Sequence, residues 1–352
     1  MSPQVCARIA KGGFAGILAM LSISVSAAQS PGSHYVVLDR IAGPEGGGWD
    51  YTTIDATARR LYLGRDAGVL TMDLDTRKIV PVAVPGARVH GATLVGETGL
   101  VLSTNGAKNT VTVFEAATNK IVGSVKVGKS PDASVYDPGT KLVAVMNHAD
   151  GTVSLVDAAK LKVVRTIVVG GELEAGAATG DSELFVNVAS KNQIAVLSLS
   201  KGKVLRRLNL KGCDDPSGLA YAAAEGLIAS VCGNGVTKIL RAADGHELVS
   251  LKTGFGSDGV IYDASRKLLF VPAATDGTLS VIAVGDGKVP ALLQTVKTAP
   301  GARLGALDSK TGRLYLPIAK MGPPVPPNPW PSVEPNTFAF LVVGEPSDQP
   351  AK

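Results

Sequence analysis

Asp50, His90, Asp132, Glu174, Ser217, Asp258 and Arg303 recur along this chain at intervals of 40, 42, 42, 43, 41 and 45 residues. A fixed period of this length marks a chain built from copies of one supersecondary unit. None of those units can bury its apolar face alone, so they must stack. The best-preserved copy runs from Ser130 to Gly171 and holds four short segments rich in Val, Ile, Thr and Leu: Ala133–Asp137, Lys141–Asn147, Thr152–Asp157 and Lys162–Val169. Pro138-Gly139 and Asp150-Gly151 separate them. Asp-Gly between alternating apolar runs is a hairpin signal, because both residues tolerate the left-handed backbone that a tight turn requires. The copies that begin at Asp215 and Ser257 keep the same plan, and nothing in the mature chain carries the period of a long amphipathic helix.

Four strands per unit of this length match a β-propeller blade. Repeats start near Gly46, Ala87, Ser130, Glu172, Asp214, Ser257 and Ala302, which predicts an all-β, seven-bladed propeller. The last repeat lacks an outer strand. His34–Ala42 reads like the fourth strand of the other repeats and has no partner of its own, so it is expected to complete blade seven. That closure removes a free sheet edge. The propeller is expected to span residues 29–346, followed by a disordered tail over 347–352.

The second-strand motifs LFVP, VAVMN and LYLG, the third strands DGTVSLVD and DGTLSVI, and the fourth strand KVVRTIVVG resemble those of the YncE-like, or YVTN-repeat, family of seven-bladed propellers. The first repeat departs from the family form, with LYLG in place of LYVAN, and the seventh has LYLP. The resemblance implies a propeller fold. It implies little about chemistry, since these motifs specify blades and the fold hosts many functions.

Residues 1–28 read as an export signal: basic Arg8 and Lys11, an apolar Phe14–Val25 too short to span a bilayer, and small residues Ser26-Ala27-Ala28 before Gln29. The mature protein is therefore expected in the periplasm or outside the cell, as a monomer without a membrane span. Cys6 would leave with the signal. Cys213, in the loop entering blade five, and Cys232, at the end of that blade's second strand, remain; the first two strands are antiparallel, which puts both positions on one face, and an oxidising compartment predicts a disulfide between them. The formal charge of +5 falls to +3 once Arg8 and Lys11 are removed. Its scatter over many strands, with only 5% aromatic residues, argues against nucleic acid as the partner.

The innermost strand of each propeller blade lines the central channel, and the seven recurring residues sit where those strands begin. They are expected to ring one mouth of the channel. Asp50, Asp132, Glu174 and Asp258 are the candidate ligands of a cation. Gathered carboxylates repel one another, and a cation, a proton or Arg303 must offset them. Oxygen donors favour Ca²⁺ or Mg²⁺, while His90 admits Zn²⁺ or Mn²⁺. A hydrated mouth whose acids cap blade loops is the competing reading. His148, on a loop of blade three, faces the same side. So does Met321–Asn336, a Pro-rich insertion found in no other blade, with Trp330 in its middle; Trp49 lies beside Asp50. The two tryptophans are candidate wall and lid for an organic, cationic ligand, and the insertion is equally a shield for the closing seam.

Gly123–Ser130 fits the phosphate-loop pattern G-x-x-x-x-G-K-[ST] but reads as an outer strand running into the next blade, with no helix to follow. Ser217 has no assured base beside it. The leading expectation is an exported binding or scaffold propeller that holds a small molecule or protein partner at the acidic mouth. The alternative is a metal-dependent hydrolase or lyase of the propeller lactonase or streptogramin-lyase type, with His90 or His148 as acid–base group.

Overall fold

The computed structural model describes residues 34–324 and 331–346. The segment 1–28 expected to be an export signal, with Cys6, and also Trp330 and the 347–352 tail lie outside the described residues. Seven four-stranded antiparallel sheets form the blades of a β-propeller. The only helical element of note among the described residues is a single 3-10 turn, Ala189–Lys191. No described helix is long and apolar enough to cross a membrane.

Blade three shows the common plan. Its innermost strand is Pro131–Asp137, followed outward by Leu142–Asn147, Thr152–Asp157 and Lys162–Val168. The second strand is apolar from Leu142 to Met146, not alternating, and Val143–Asn147 is buried throughout. Both of its faces meet neighbouring blades, so both must shed water. The outer strand covers the core on one side only and keeps a mixed pattern. The core therefore lies between blades. Ala144, Met146 and Leu155 of blade three pack with Leu184, Val186 and Val188 of blade four in one continuous cluster.

Val36–Ala42 pairs antiparallel with Ala339–Gly344 and so provides the outer strand of blade seven, as the repeat count predicts. Closure is reinforced on the inner side. Asp308 of blade seven is fully buried and receives Nη1 of Arg59, from blade one, at 2.7 Å from both carboxylate oxygens. A disulfide joins Cys213 to Cys232 across a Cα separation of 5.3 Å. It ties the loop feeding blade five to the end of that blade's second strand.

Two details refine the expected plan and a third agrees with it. The ends of the Pro-rich insertion pair with each other: Met321–Pro324 runs antiparallel to Pro331–Val333 in a small ribbon. The innermost strands of blades six and seven shorten to Ile261–Asp263 and Ala306–Asp308. Finally, Ile121–Lys126 is indeed a strand and runs through Ser130 into Pro131–Asp137 without a helix, so the phosphate-loop pattern is coincidental.

Candidate functional site

Five of the seven recurring residues are the second residue of an innermost strand: Asp50, His90, Asp132, Glu174 and Ser217. In each of these blades the register with the next strand slips at this point, between Trp49 and Thr52, Val89 and Ala92, Pro131 and Ser134, Leu173 and Gly176, and Pro216 and Leu219. A bulge re-aims side chains and increases twist. Its repetition gives blades one to five the same irregular entrance to the channel.

The contacts between these residues run from blade to blade. His90 Nδ1 lies 2.7 Å from Asp50 Oδ2 and 3.5 Å from Asp132 Oδ1. His148 Nδ1 lies 3.0 Å from Glu174 Oε1 and 3.1 Å from the Leu173 carbonyl oxygen. The Asn187 side chain donates to the Ser217 carbonyl at 3.0 Å, and the Ser217 hydroxyl donates to the Ser257 carbonyl at 3.2 Å. Arg303 Nε stands 3.6 Å from Asp258, while its Nη2 donates to the Trp49 carbonyl at 2.6 Å. The ring residues are thus joined, directly or through a neighbour, around most of the mouth.

The close approach has a backbone cost that explains one departure in the repeat motif. A Cβ on Gly64, the glycine of LYLG, would fall 2.1 Å from the His90 carbonyl oxygen. Blade one needs a residue without a side chain where blade two presses its ring histidine inward.

Electrostatics at the mouth follow from crowding in a site partly shut off from water. Burial, reinforced by Asp50, Glu174 and Asp258 and opposed by His90, pushes the Asp132 carboxyl up to about 8. Burial together with Asp50 and Glu174, against the pull of Arg303, lifts Asp258 to about 6. His148 is pushed up to about 9, chiefly by its hydrogen bond to Glu174. Burial works against the imidazolium of His90, but the bond to Asp50 and the charge of Asp132 outweigh it and raise its pKa. The offset to the gathered acids is therefore partly internal: two imidazoles, Arg303 and bound protons.

Two donor groups have metal-compatible spacing. Asp50, His90 and Asp132 form one; Asp132, His148 and Glu174 form the other. Within each, donor atoms lie within 4.8 Å of one another. Asp258 pairs with Arg303 and stands apart from both groups, and Ser217 serves blade-to-blade hydrogen bonding.

Trp49 does not stand over the mouth. It is 6% exposed, its ring centre 5.5 Å from that of Phe338, inside the core between blades one and seven. Neighbouring positions on a strand face opposite ways, so adjacency to Asp50 in sequence puts Trp49 on the other side. The residue that the spacing argument passes over is Tyr51. Burial and the charges of Asp132, Glu174, Asp50 and Asp258 all raise its phenol pKa, which puts the hydroxyl within the field of all four carboxylates. Its ring packs against apolar side chains of blades three and four, across the channel from its own strand. Below the mouth lies a cavity of about 200 Å³ lined by Tyr51, Gly91, Ala133, Gly176, Gly218 and Gly259, among others. Tyr51 is the large side chain among these small ones. The bulge between Trp49 and Thr52 accompanies this placement, and the apolar pattern of the sequence does not mark it.

No protein-family model matches the chain, and no curated protein matches it by sequence. Its fold is shared widely. The RRP9 WD40 repeats and, separately, U3-55K each superpose with a TM-score of 0.73 at 11% identity; both cover 87% of this chain, and the match takes in 97% and 98% of theirs. Hydrazine synthase of Kuenenia stuttgartiensis superposes at 0.67 with 15% identity, over 76% of this chain and 92% of its own. At such identities the likeness is one of fold alone. The fold is compatible with a binding or scaffold role.

Proposed function

We propose that this chain is an exported, periplasmic binding propeller whose ligand is a divalent cation held at the acidic channel mouth. The observation that carries the reading is Asp132: it belongs to both acid–histidine groups, with all donors in each within 4.8 Å. Mixed carboxylate and imidazole donors suit Mn²⁺ or Zn²⁺ better than Ca²⁺ or Mg²⁺, which take oxygen ligands. Each group offers three protein donors, so coordination positions remain for a small molecule or a partner's side chain. The leader-like first 28 residues and the disulfide support export. A hydrolytic role would use the same open positions. No side chain beyond these donors favours it specifically, so binding is the reading retained.

The test is thermal denaturation of metal-stripped protein with and without Mn²⁺ or Zn²⁺. Ligand at a hundredfold its Kd stabilises the folded state by about 2.7 kcal/mol. Wild type is expected to gain melting temperature with one of these ions, and Asp132→Ala to lose that gain entirely. An equal gain in the variant would place any cation elsewhere.

A further inference from the structure

We propose that the mouth holds two divalent cations, bridged by the carboxylate of Asp132. This rests on the reading of the mouth as a cation site and deepens it from one ion to a binuclear centre.

The count comes from how the donors divide. Ligand atoms of one such ion sit about 2 Å from it, so they can be no more than about 4.4 Å from one another. Donor atoms of Asp50, His90 and Asp132 lie within 4.8 Å of one another, so small side-chain shifts would bring them onto one ion, and the same holds for Asp132, His148 and Glu174. Among the described residues, no group joins His90 to His148 or Asp50 to Glu174 at that spacing. One ion cannot gather all five side chains. Two ions can, provided the one residue common to both groups serves both, and a carboxylate has two oxygens with which to do so. Paired sites of this kind hold their ions about 3.5–4 Å apart.

Two observations separate this from a plain acidic patch. Asp132 has only 14% of its side chain exposed, yet it accepts no hydrogen bond among the described residues; its nearest basic atom is His90 Nδ1 at 3.5 Å. A carboxylate so placed ordinarily finds donors. His90, in turn, is 6% exposed, with its Nδ1 turned to the carboxylates of Asp50 and Asp132 and its Nε2 beside Gly106. The contacts that orient the imidazole are those to Asp50 and Asp132. A buried ring is thus held by its edge on the site. Charge agrees. With Arg303 engaged by Asp258, three carboxylates remain, and a single divalent ion between neutral imidazoles leaves the centre negative. A second ion reverses the sign and lets the pair accept an anionic ligand such as hydroxide.

The experiment is titration of metal-stripped full-length protein with Mn²⁺ alone, read by calorimetric stoichiometry and by electron paramagnetic resonance. Wild type is expected to bind two ions with an exchange-coupled spectrum. His148→Ala, at a position with a third of its side chain exposed, is expected to bind one ion with the six-line spectrum of an isolated Mn²⁺. Asp132→Ala is expected to lose the coupled signal, with circular dichroism confirming that both variants fold. One ion in wild type, uncoupled, would overturn the binuclear centre while leaving the cation site intact. No binding of Mn²⁺, repeated with Zn²⁺ by calorimetry, would overturn both.

Discussion

Replacing Arg59 by alanine should weaken the propeller at its closing seam. Asp308 is fully buried, and the Arg59 guanidinium, itself 14% exposed, reaches both of its oxygens at 2.7 Å. Removing one partner of a buried pair leaves the other charge uncompensated and costs about 3–5 kcal/mol. Asp308 retains the Thr311 hydroxyl at 2.6 Å and the Lys310 amide at 3.2 Å, so the loss should fall near the low end, about 3 kcal/mol. The second partner of Arg59, Asp75, is 64% exposed and should add less than about 1 kcal/mol. Arg59→Lys keeps the charge but loses the planar fork, and is expected to recover only part of the loss. Urea unfolding followed by tryptophan emission is the assay, because Trp49 reports from the core between blades one and seven. The midpoint should fall while the slope stays constant. A loss below about 1 kcal/mol, or a lysine variant as stable as wild type, would show that the buried pair does not hold the seam.

Reduction of Cys213–Cys232, which closes a separation of 19 residues, should cost about 3 kcal/mol by chain entropy; equal urea midpoints with and without reductant would contradict this. Metal affinity should rise with pH. His148, with its pKa near 9, carries a proton at pH 7 that a metal must displace, and below about 8 Asp132 carries another. Apparent affinity should therefore climb at least about tenfold per pH unit from 7 towards 9 and level off beyond. Calorimetry at three pH values checks the slope, and a flat profile would mean that His148 and Asp132 are not ligands.

The fold was legible because a propeller writes its geometry into spacing. Seven copies at one interval require seven blades, and an unpartnered first strand, Val36–Ala42, requires an edge to fill. The disulfide was legible for the same reason, since the repeat puts the loop entering blade five, with Cys213, beside the end of that blade's second strand, with Cys232. Partnerships at the mouth were not. Whether His148 meets Glu174 depends on how far the loop of blade three leans over blade four, and no periodicity encodes that. Trp49 and Tyr51 both lay beside Asp50, and simple strand alternation would have placed them alike. The bulge after Trp49 breaks the alternation: one ring goes into the core and the other into the channel. A slip in register is set by the backbone of a particular turn, which the apolar pattern does not report.

A propeller copies one repeat position to one place in space, so a small bias at that position accumulates. Burial, and then the field of the other acids, raises Asp132 and Asp258, while the acids raise the pKa of His90 against its burial and that of His148. The same contacts also link neighbouring blades, from Asp50 to His90 and from Asp258 to Arg303. Any ligand that displaces those protons therefore changes joints between blades as well as charges at a site. On this reading the mouth is where ligand binding and closure of the ring are coupled. The coupling free energy must appear equally as stabilisation of the closed propeller by the ligand and as tighter ligand binding by the closed propeller.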